Sequence, residues 1–394
     1  MVQEHPHGYV ENTPELEAYY RELEAAHTCA LWNVLADMMP DYPQPKAIPY
    51  LWKYQRVRPL VLRAGELVTP EQANRRVVCL INPGVREQYS ATATLLANIQ
   101  MVLPGEIAPA HRHTAAALRF IMEGNGAYTA VDGEKTLMRP GDLVLTPNWT
   151  WHDHGNDTDG PMIWQDGLDV PLVNALDGMF FEAFNGMQQE YTRPVDASQR
   201  EYHHGGLRPT WQKWSKPHSP MLNYTWEETR DALDRMVRDA PGNAWDAVML
   251  EYVNPHTGGP IMPTIGANAQ VLRPGEHTQA HRHTMDVVYQ VVEGAGSTVI
   301  NGVRFDWEKN DIFVIPKWAL HEHANASRSD NAYLFSYNDQ PVMLSLGLYR
   351  EEELRTTATR RSRGPSRRAS GRAGRSSRRR LSRFARPCRW TRTR

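Results

Sequence analysis

Two histidines one residue apart sit in GEIAPAHRHT at 105–114, and the same pair returns 170 residues later in GEHTQAHRHT at 275–284. Each pair is followed by a third histidine just beyond a proline and a tryptophan. His152 comes 39 residues after His113 in GDLVLTPNWTWHDHGN, and His321 comes 38 after His283 in NDIFVIPKWALHEHAN. A duplication that preserves spacing over this length requires two similar domains, each with its own histidine site. It also constrains local structure, because residues i and i+2 share a face only on an extended strand.

The sequence between the histidines agrees. Glycines at 124, 126, 133 and 141 punctuate short apolar runs, which favours an antiparallel barrel or sandwich over alternating strands and helices. LLANIQMVLPG reads as one strand, ALRFIMEGNGAYTAVDGEKTLMRPGDLVLTP as three more, and PMIWQDGLDVPLV as the last. The same grammar resumes in AQVLRPG, VVYQVVEGAGSTVI, VRFDWEKNDIFVIP and AYLFSYND, with RFIMEGNGAYTAVDG matched by YQVVEGAGSTVING. The expected fold is mainly β, a double jelly roll with a barrel at 86–182 and a second at 261–350. A helical and wrapping segment at 1–85 precedes them, and a linker with a helix lies at 183–260. Residues 13–40 read as one helix capped by Asn12 or Thr13 with Pro14 in its first turn. The proline-broken stretch from Pro40 to Pro70 is expected to wrap an outer surface or a neighbouring subunit.

His111 and His113 should face one side, and His152 can complete a three-imidazole set. Such sets suit zinc, copper, iron or nickel and leave positions open. An isolated HxH is weak evidence; the same constellation twice is strong. Arg119, six residues past His113, falls in step with the pair if the strand is unbroken. A buried arginine is costly without a partner. A substrate carboxylate would satisfy it, and a structural salt bridge is the plainer reading. His154, two past His152, could be a fourth ligand or pack locally. Trp149 and Trp151 are expected at the barrel mouth. His203 and His204, adjacent on what reads as an extended segment, should point apart and hold surface roles.

Here the chain resembles the two-domain cupins of the gentisate 1,2-dioxygenase family, with its salicylate and 1-hydroxy-2-naphthoate relatives. The resemblance spans roughly 13–350. Its most specific stretch is APAHRHTAAALRFIMEGNGAYTAVDGEKTLMRPGDLVLTPNWTWHDHGN, supported by INPG at 81–84 and WQDGLDVP at 164–171. It implies two jelly-roll barrels, a homotetramer, and ferrous iron, Fe(II), held by His111, His113 and His152. It further implies O2-dependent ring cleavage of gentisate, 2,5-dihydroxybenzoate, to maleylpyruvate in aromatic catabolism, with the salicylate or 1-hydroxy-2-naphthoate reaction as the alternative. Arg119, Arg76, Gln100 and Asp166 fall where the family lines its pocket, and His154 where it keeps a hydrogen-bonding or acid–base residue near the substrate. Leu95 and Leu96 would shape the aromatic slot.

Many cupins carry a glutamate a few residues after the HxH; TAAALRF has none, as in this family. Three neutral imidazoles then leave the metal charge for a chelating anion to balance. The second copy keeps His281, His283, His321 and His323, but Tyr289 stands where Arg119 stands. A metal in barrel 2 with little or no turnover is the expectation.

Composition bears on partners. Residues 360–394 hold 15 arginines and no acid; without them 29 basic residues face 45 acidic ones. An acidic body gives no reason to expect nucleic acid or an anionic membrane. The segment 351–394 reads as a disordered arginine-rich tail, either a basic arm or the product of a shifted reading frame, since it has no lysine. Three cysteines, Cys29, Cys79 and Cys388, make no disulfide framework, and no apolar signal stretch opens the chain, so a cytoplasmic protein is expected. Two other classes stand against the leading one. A zinc sugar isomerase fits poorly with the missing carboxylate ligand and the arginine, and a storage bicupin has no need of two intact triads.

Overall fold

The computed structural model describes residues 12–73 and 75–354; the first eleven residues, the arginine-rich tail and Cys388 lie outside the described residues. The first half supplies β1 (Tyr50–Trp52), β2 (Val77–Cys79), β3 (Leu96–Val102), β4 (Ile107–His113), β5 (Ala117–Glu123), β6 (Tyr128–Val131), β7 (Glu134–Leu137), β8 (Leu143–Thr146), β9 (His152–Gly155), β10 (Met162–Leu168) and β11 (Phe181–Ala183). The second supplies β12 (Asn223–Tyr224), β13 (Val248–Glu251), β14 (Gly266–Leu272), β15 (His281–His283), β16 (Val287–Glu293), β17 (Ala295–Ile300), β18 (Val303–Glu308), β19 (Ile312–Ile315), β20 (His321–Asn325), β21 (Ala332–Asn338) and β22 (Glu351–Glu353).

These strands make two barrels of the same plan. Barrel 1 faces the sheet β12-β8-β5-β10-β3-β2 against β11-β4-β9-β6-β7; barrel 2 faces β1-β19-β16-β21-β14-β13 against β18-β17-β20-β15-β22. Alternation along β5 shows how sequence builds this. Leu118, Phe120 and Met122 point to a large apolar core shared with barrel 2, while Ile121 joins the interior of barrel 1. At the junction Phe120 stacks on Phe335, centroids 4.0 Å apart, and the Tyr337 hydroxyl donates to the carbonyl of Leu96 at 2.6 Å. The two six-stranded sheets thus bury both of their faces, and the histidine-bearing five-stranded sheets lie outermost.

Several details differ from expectation. The stretch 117–147 holds four strands, not three, because Asp132 and Gly133 both take positive φ (43° and 83°) and close a two-residue hairpin between β6 and β7. The helix expected over 13–40 is two helices, Pro14–Ala25 and Leu31–Met38. Thr13 caps the first through Leu16 N, and the chain turns at His27 (φ 54°), where Thr28 donates both N–H and hydroxyl to the Leu23 carbonyl.

The proline-broken stretch is not a mere wrapping. β1 pairs with β19 of barrel 2, and the helix Tyr54–Leu67 sends Tyr54 and Val61 into the shared core. The linker also joins in, through β12, β13 and the helix Trp226–Asp239, whose Leu233 is fully buried. His203 and His204 do not point apart. His203 ends a helix in αR conformation, which turns the rings to within 3.9 Å, and it reaches Glu228 at 3.0 Å on the surface. Cys29 and Cys79 are free thiols. Among the described residues no helix is long and apolar enough to cross a membrane.

Candidate metal centre

β4 carries His111 and His113 on its inner face, and β9 lies beside it with His152 in register with His111. The turn that delivers β9 is strained in both barrels alike. Trp149 and Trp318 take positive φ (58° and 62°), and their N–H groups donate to the carbonyls of His113 and His283. This pins each third histidine to its pair.

The three rings of barrel 1 present ligand atoms within 4.8 Å of one another, all buried. Each Nδ1 lies on a backbone carbonyl: His111 on Pro109 (3.0 Å), His113 on Ala115 (2.8 Å), His152 on Thr150 (2.9 Å). The carbonyls accept, so the protons sit on Nδ1 and the Nε2 lone pairs are left to converge. Nε2 of His111 and of His152 is buried without a partner. An orphaned acceptor in a dry site is expensive unless something binds it, and three neutral imidazoles fit a ferrous ion. Burial, followed by the charge of Arg75, pulls the His111 pKa down to about 2. Burial brings His113 to about 4, and His152 falls well below its ordinary value through burial and its two neighbours. All three stay neutral and ready to ligate at physiological pH.

The cost appears on acidification. A histidine held neutral in the fold but protonated near its ordinary value of about 6.5 when unfolded makes stability fall as pH drops below that value, down to the folded pKa. The buried histidines of the second barrel act the same way, with His283 and His323 both lowered to about 3 by burial. Buried carboxylates oppose the trend, Asp142 and Asp169 raised to about 6 among them, but at pH 7 these are ionised in both states, and between pH 7 and 6 only the histidines gain protons on unfolding. Metal-free protein should therefore melt several degrees lower at pH 5 than at pH 7 in a thermal scan, and a flat profile would contradict these neutral triads.

Arg119 enters the same interior, though not by continuity with the histidines. The chain crosses from one sheet to the other at 114–116, so counting in twos from His113 does not apply. Arg119 faces inward because its β5 neighbours Leu118 and Phe120 face the shared core. It is 3% exposed and held on three sides: Nε is 3.3 Å from Asp166 as an ion pair without a hydrogen bond, Nη2 donates to His154 Nε2 at 2.9 Å, and Nη1 donates to Thr146. The plainer reading, a structural ion pair, is what the geometry contains. Burial raises the Asp166 carboxyl against the lowering effect of Arg119, and Trp164 Nε1 donates to it at 2.9 Å. His154 is no fourth ligand. Its Nε2 accepts from Arg119 and its Nδ1 meets Thr129 Oγ1 at 2.9 Å, so it holds the arginine in place behind the cavity.

A cavity of about 70 Å³ opens onto this centre, lined by Arg75, Val77, Asn98, Gln100, His113, Ala117, Arg119, His152, Asp166 and Leu168. Gln100, Arg119 and Asp166 are thus gathered. Arg76 is not: its guanidinium pairs with Glu106 and lies on the carbonyls of Gly65 and Val68, outside this cavity. Leu95 belongs to the shared core, and Val77, Ala117 and Leu168 supply the apolar lining instead.

The residue that sequence reasoning missed is Arg75. It shares the parity of Val77 and so faces the cavity, whereas Arg76 shares that of Val78. Its buried Nε has no hydrogen-bond partner, its guanidinium carbon lies 5.8 Å from the Phe181 ring, and burial together with Arg119 lowers its pKa to about 10. Alternation in step with Val77 was the available signal. At the mouth, Arg112 lies over Trp149 and Trp151 at 4.4 and 4.5 Å, and Phe181 stacks on His111. A larger cleft, about 540 Å³, is lined by acids and arginines such as Asp196, Glu228 and Arg200 and contains no histidine.

In barrel 2, His281, His283 and His321 gather as tightly. Around them Tyr289, buried and stacked on Phe313, replaces Arg119, and Ser336 pairs with it in the register that holds Asp166 in barrel 1.

Known proteins are similar to this chain over most of its length. The cupin domain family matches residues 98–171 and 268–337, one match per barrel. The chain is 42% identical over 343 residues to 5-aminosalicylate 1,2-dioxygenase of Comamonas sp, covering 86% of this chain and 90% of that one. It is 41% identical to gentisate 1,2 dioxygenase 1 of Aquipseudomonas alcaligenes, covering 86% and 96%. The crystal structure of salicylate 1,2-dioxygenase from Pseudoaminobacter salicylatoxidans, in adducts with gentisate, superposes with a TM-score of 0.82 at 37% identity, covering 88% and 95%. With its paired triads and two jelly-roll barrels, the chain belongs to the gentisate/salicylate 1,2-dioxygenase family of bicupins, enzymes that cleave aromatic rings with ferrous iron and O2.

Proposed function

We propose that the chain is a gentisate 1,2-dioxygenase, opening 2,5-dihydroxybenzoate between its carboxyl-bearing and adjacent hydroxyl-bearing carbons to give maleylpyruvate. The observation that carries this reading is Arg75, a cavity-lining guanidinium whose buried Nε has no hydrogen-bond partner, beside three convergent Nε2 atoms. A cation so placed calls for an anionic ligand, and a carboxylate gives a planar, two-oxygen match. Ferrous iron, when bound by His111, His113 and His152, supplies the redox and spin chemistry that lets O2 react with a ring.

The protein's own groups do the rest. Arg75 receives the substrate carboxylate and draws the anion into an otherwise acidic molecule. The Arg119–Asp166 pair, fixed from behind by His154 and Trp164, sets a rigid polar wall. Gln100 Nε2, buried and unpartnered, is a donor for a ring hydroxyl or its oxyanion. Val77, Ala117 and Leu168 exclude water from the ring face. The para hydroxyl of gentisate makes the ring electron-rich, which favours it over salicylate. The salicylate reaction is the second reading, supported by the likeness to the salicylate enzyme.

Oxygen uptake by the iron-loaded chain with gentisate, salicylate, 1-hydroxy-2-naphthoate and 5-aminosalicylate tests the assignment. The highest kcat/KM is expected with gentisate, and no uptake with any of the four would reject it. Arg75→Ala should lower kcat/KM roughly 10- to 100-fold, mainly through KM, because a charge-assisted hydrogen bond contributes about 1.5–3 kcal/mol. An unchanged KM would remove Arg75 from substrate binding.

Assembly as a homo-oligomer, a tetramer by family resemblance, belongs to the same reading. The helices Pro14–Ala25 and Leu31–Met38 bury no residue within the chain, yet Leu31, Trp32 and Met38 are exposed. Sedimentation velocity gives the subunit number.

A further inference from the structure

β3 turns two amides, Asn98 and Gln100, into the cavity beside the metal centre. Register fixes their neighbours. Asn98 stands opposite Asp166 on one side and Cys79 on the other, while Gln100 stands opposite Trp164 and Val77. Residues directly opposite share a face, so Asn98 extends the row of Arg119 and Asp166 across the cavity wall. It is 7% exposed, and its Oδ1 has no hydrogen-bond partner. Its row offers no ready donor, because Asp166 is itself an acceptor and the Arg119 nitrogens face Asp166, His154 and Thr146. Gln100, 2% exposed, leaves its Nε2 unpartnered in the same cavity. A buried acceptor and a buried donor, two residues apart on one strand, are costly unless a ligand takes both. The duplication repeats the amides as Asn268 and Gln270 on β14, with Asn268 opposite Ser336. There Gln270 Nε2 donates to the carbonyl of Asp246 at 2.8 Å, so the protein itself uses the group that barrel 1 leaves to its cavity.

We propose that Asn98 selects the substrate by its ring substituent, accepting a hydrogen bond from a hydroxyl para to the ortho hydroxyl, while Gln100 donates to the same oxygen. This rests on the ring-cleavage reading and narrows it. Gentisate, 5-aminosalicylate, salicylate and 1-hydroxy-2-naphthoate all carry a carboxylate and a hydroxyl ortho to it, and Arg75 and the metal centre take these. The para position is where they differ: hydroxyl in gentisate, amine in 5-aminosalicylate, hydrogen in the other two. A hydroxyl both donates to a carbonyl and accepts from an N–H. An aromatic amine donates, but its lone pair is drawn into the ring. Hydrogen does neither and leaves both amides unpaired. A site built to bond a hydroxyl discriminates against the analogue that lacks it far more strongly than an apolar pocket can.

Calorimetric titration of the iron-loaded full-length chain without O2, so that nothing turns over, tests this. Gentisate is compared with salicylate and with 5-fluorosalicylate, whose fluorine is smaller than a hydroxyl and cannot donate. The wild type should bind gentisate at least about tenfold more tightly than either. Asn98→Leu keeps the volume and removes the amide. It should weaken gentisate roughly 10- to 100-fold and leave salicylate within about threefold. Equal weakening of both acids, or an unchanged ratio between them, overturns the proposal. Iron analysis and circular dichroism establish that the variant is intact. Should Asn98→Leu lose iron, Asn98→Ser and Asn98→Ala replace it: serine still accepts a hydrogen bond and should keep more of the gentisate preference, and equal loss in the two overturns the proposal. Oxygen uptake with none of the four acids would sink the ring-cleavage reading; uptake intact with the binding ratio unmoved sinks the role of Asn98 alone.

Discussion

His152→Ala is expected to abolish iron retention in barrel 1 and to lower ring cleavage by at least about a thousandfold. The ion stabilises developing charge by several kcal/mol, and each 1.36 kcal/mol is a factor of ten in rate. His152 is the ligand that comes from a different strand, and removing it leaves only the HxH pair of one strand, which cannot enclose an ion. Metal analysis together with oxygen uptake reads the outcome. His154→Ala is the informative contrast, since both its ring nitrogens are taken by Thr129 and Arg119. That variant should keep its iron and lose activity only through a loosened Arg119. Full iron content in His152→Ala, or iron loss in His154→Ala, would mean that the wrong histidine has been placed on the metal.

Asp166→Asn should destabilise the protein by about 3–5 kcal/mol, because it strands the buried Arg119 guanidinium without its counter-charge. For a folded body of this size that corresponds to a melting temperature lower by roughly 5 °C. Asp166 and Arg119 are 5% and 3% exposed, so solvent screens the loss little. The double variant Arg119→Met with Asp166→Leu removes both charges and should recover most of that stability, since an apolar pair of similar volume is well tolerated. Activity should not return with it. Recovery of both would make the pair purely structural; recovery of neither would mean that the cost came from repacking.

The metal ligands were legible in the sequence because their signal is periodic and local. An i, i+2 pair on a strand shares a face whatever surrounds it, and the duplication supplied an internal replicate. The jelly-roll class was legible for the same reason, through short apolar runs set off by glycines. The number of strands in 117–147 was less so. It turned on whether Asp132–Gly133 adopts two left-handed residues, a choice that depends on the pairing of β6 with β7. The long helix expected before residue 40 failed at His27, where the local bonds of Thr28 outweighed helical periodicity.

The surroundings of the metal behaved differently. Arg119 faced inward as expected, but the counting that suggested it ran through a sheet-to-sheet crossing; its direction is set by Leu118 and Phe120 packing against the other barrel. Alternation sets the two adjacent arginines on opposite faces, in step with Val77 and Val78, but does not say which face is the cavity's. Only the register of β2 on β3 turns Arg75 to the cavity and leaves Arg76 to Glu106. Asp246, 35 residues before His281 in the chain, has no sequence relation to that histidine, yet its Oδ1 lies 3.6 Å from His281 Nε2.

By itself, then, the sequence determined two barrels, two histidine triads and the chemistry that three imidazoles allow, because these follow from spacing along one strand and from its repetition. Tertiary structure alone decided which charges stand around each triad. Those charges come from other strands and loops, and their meeting depends on register and packing between distant segments. That is why two nearly identical histidine patterns end in unlike sites, one lined by Arg75, Arg119 and Asp166, the other by Tyr289 and Ser336.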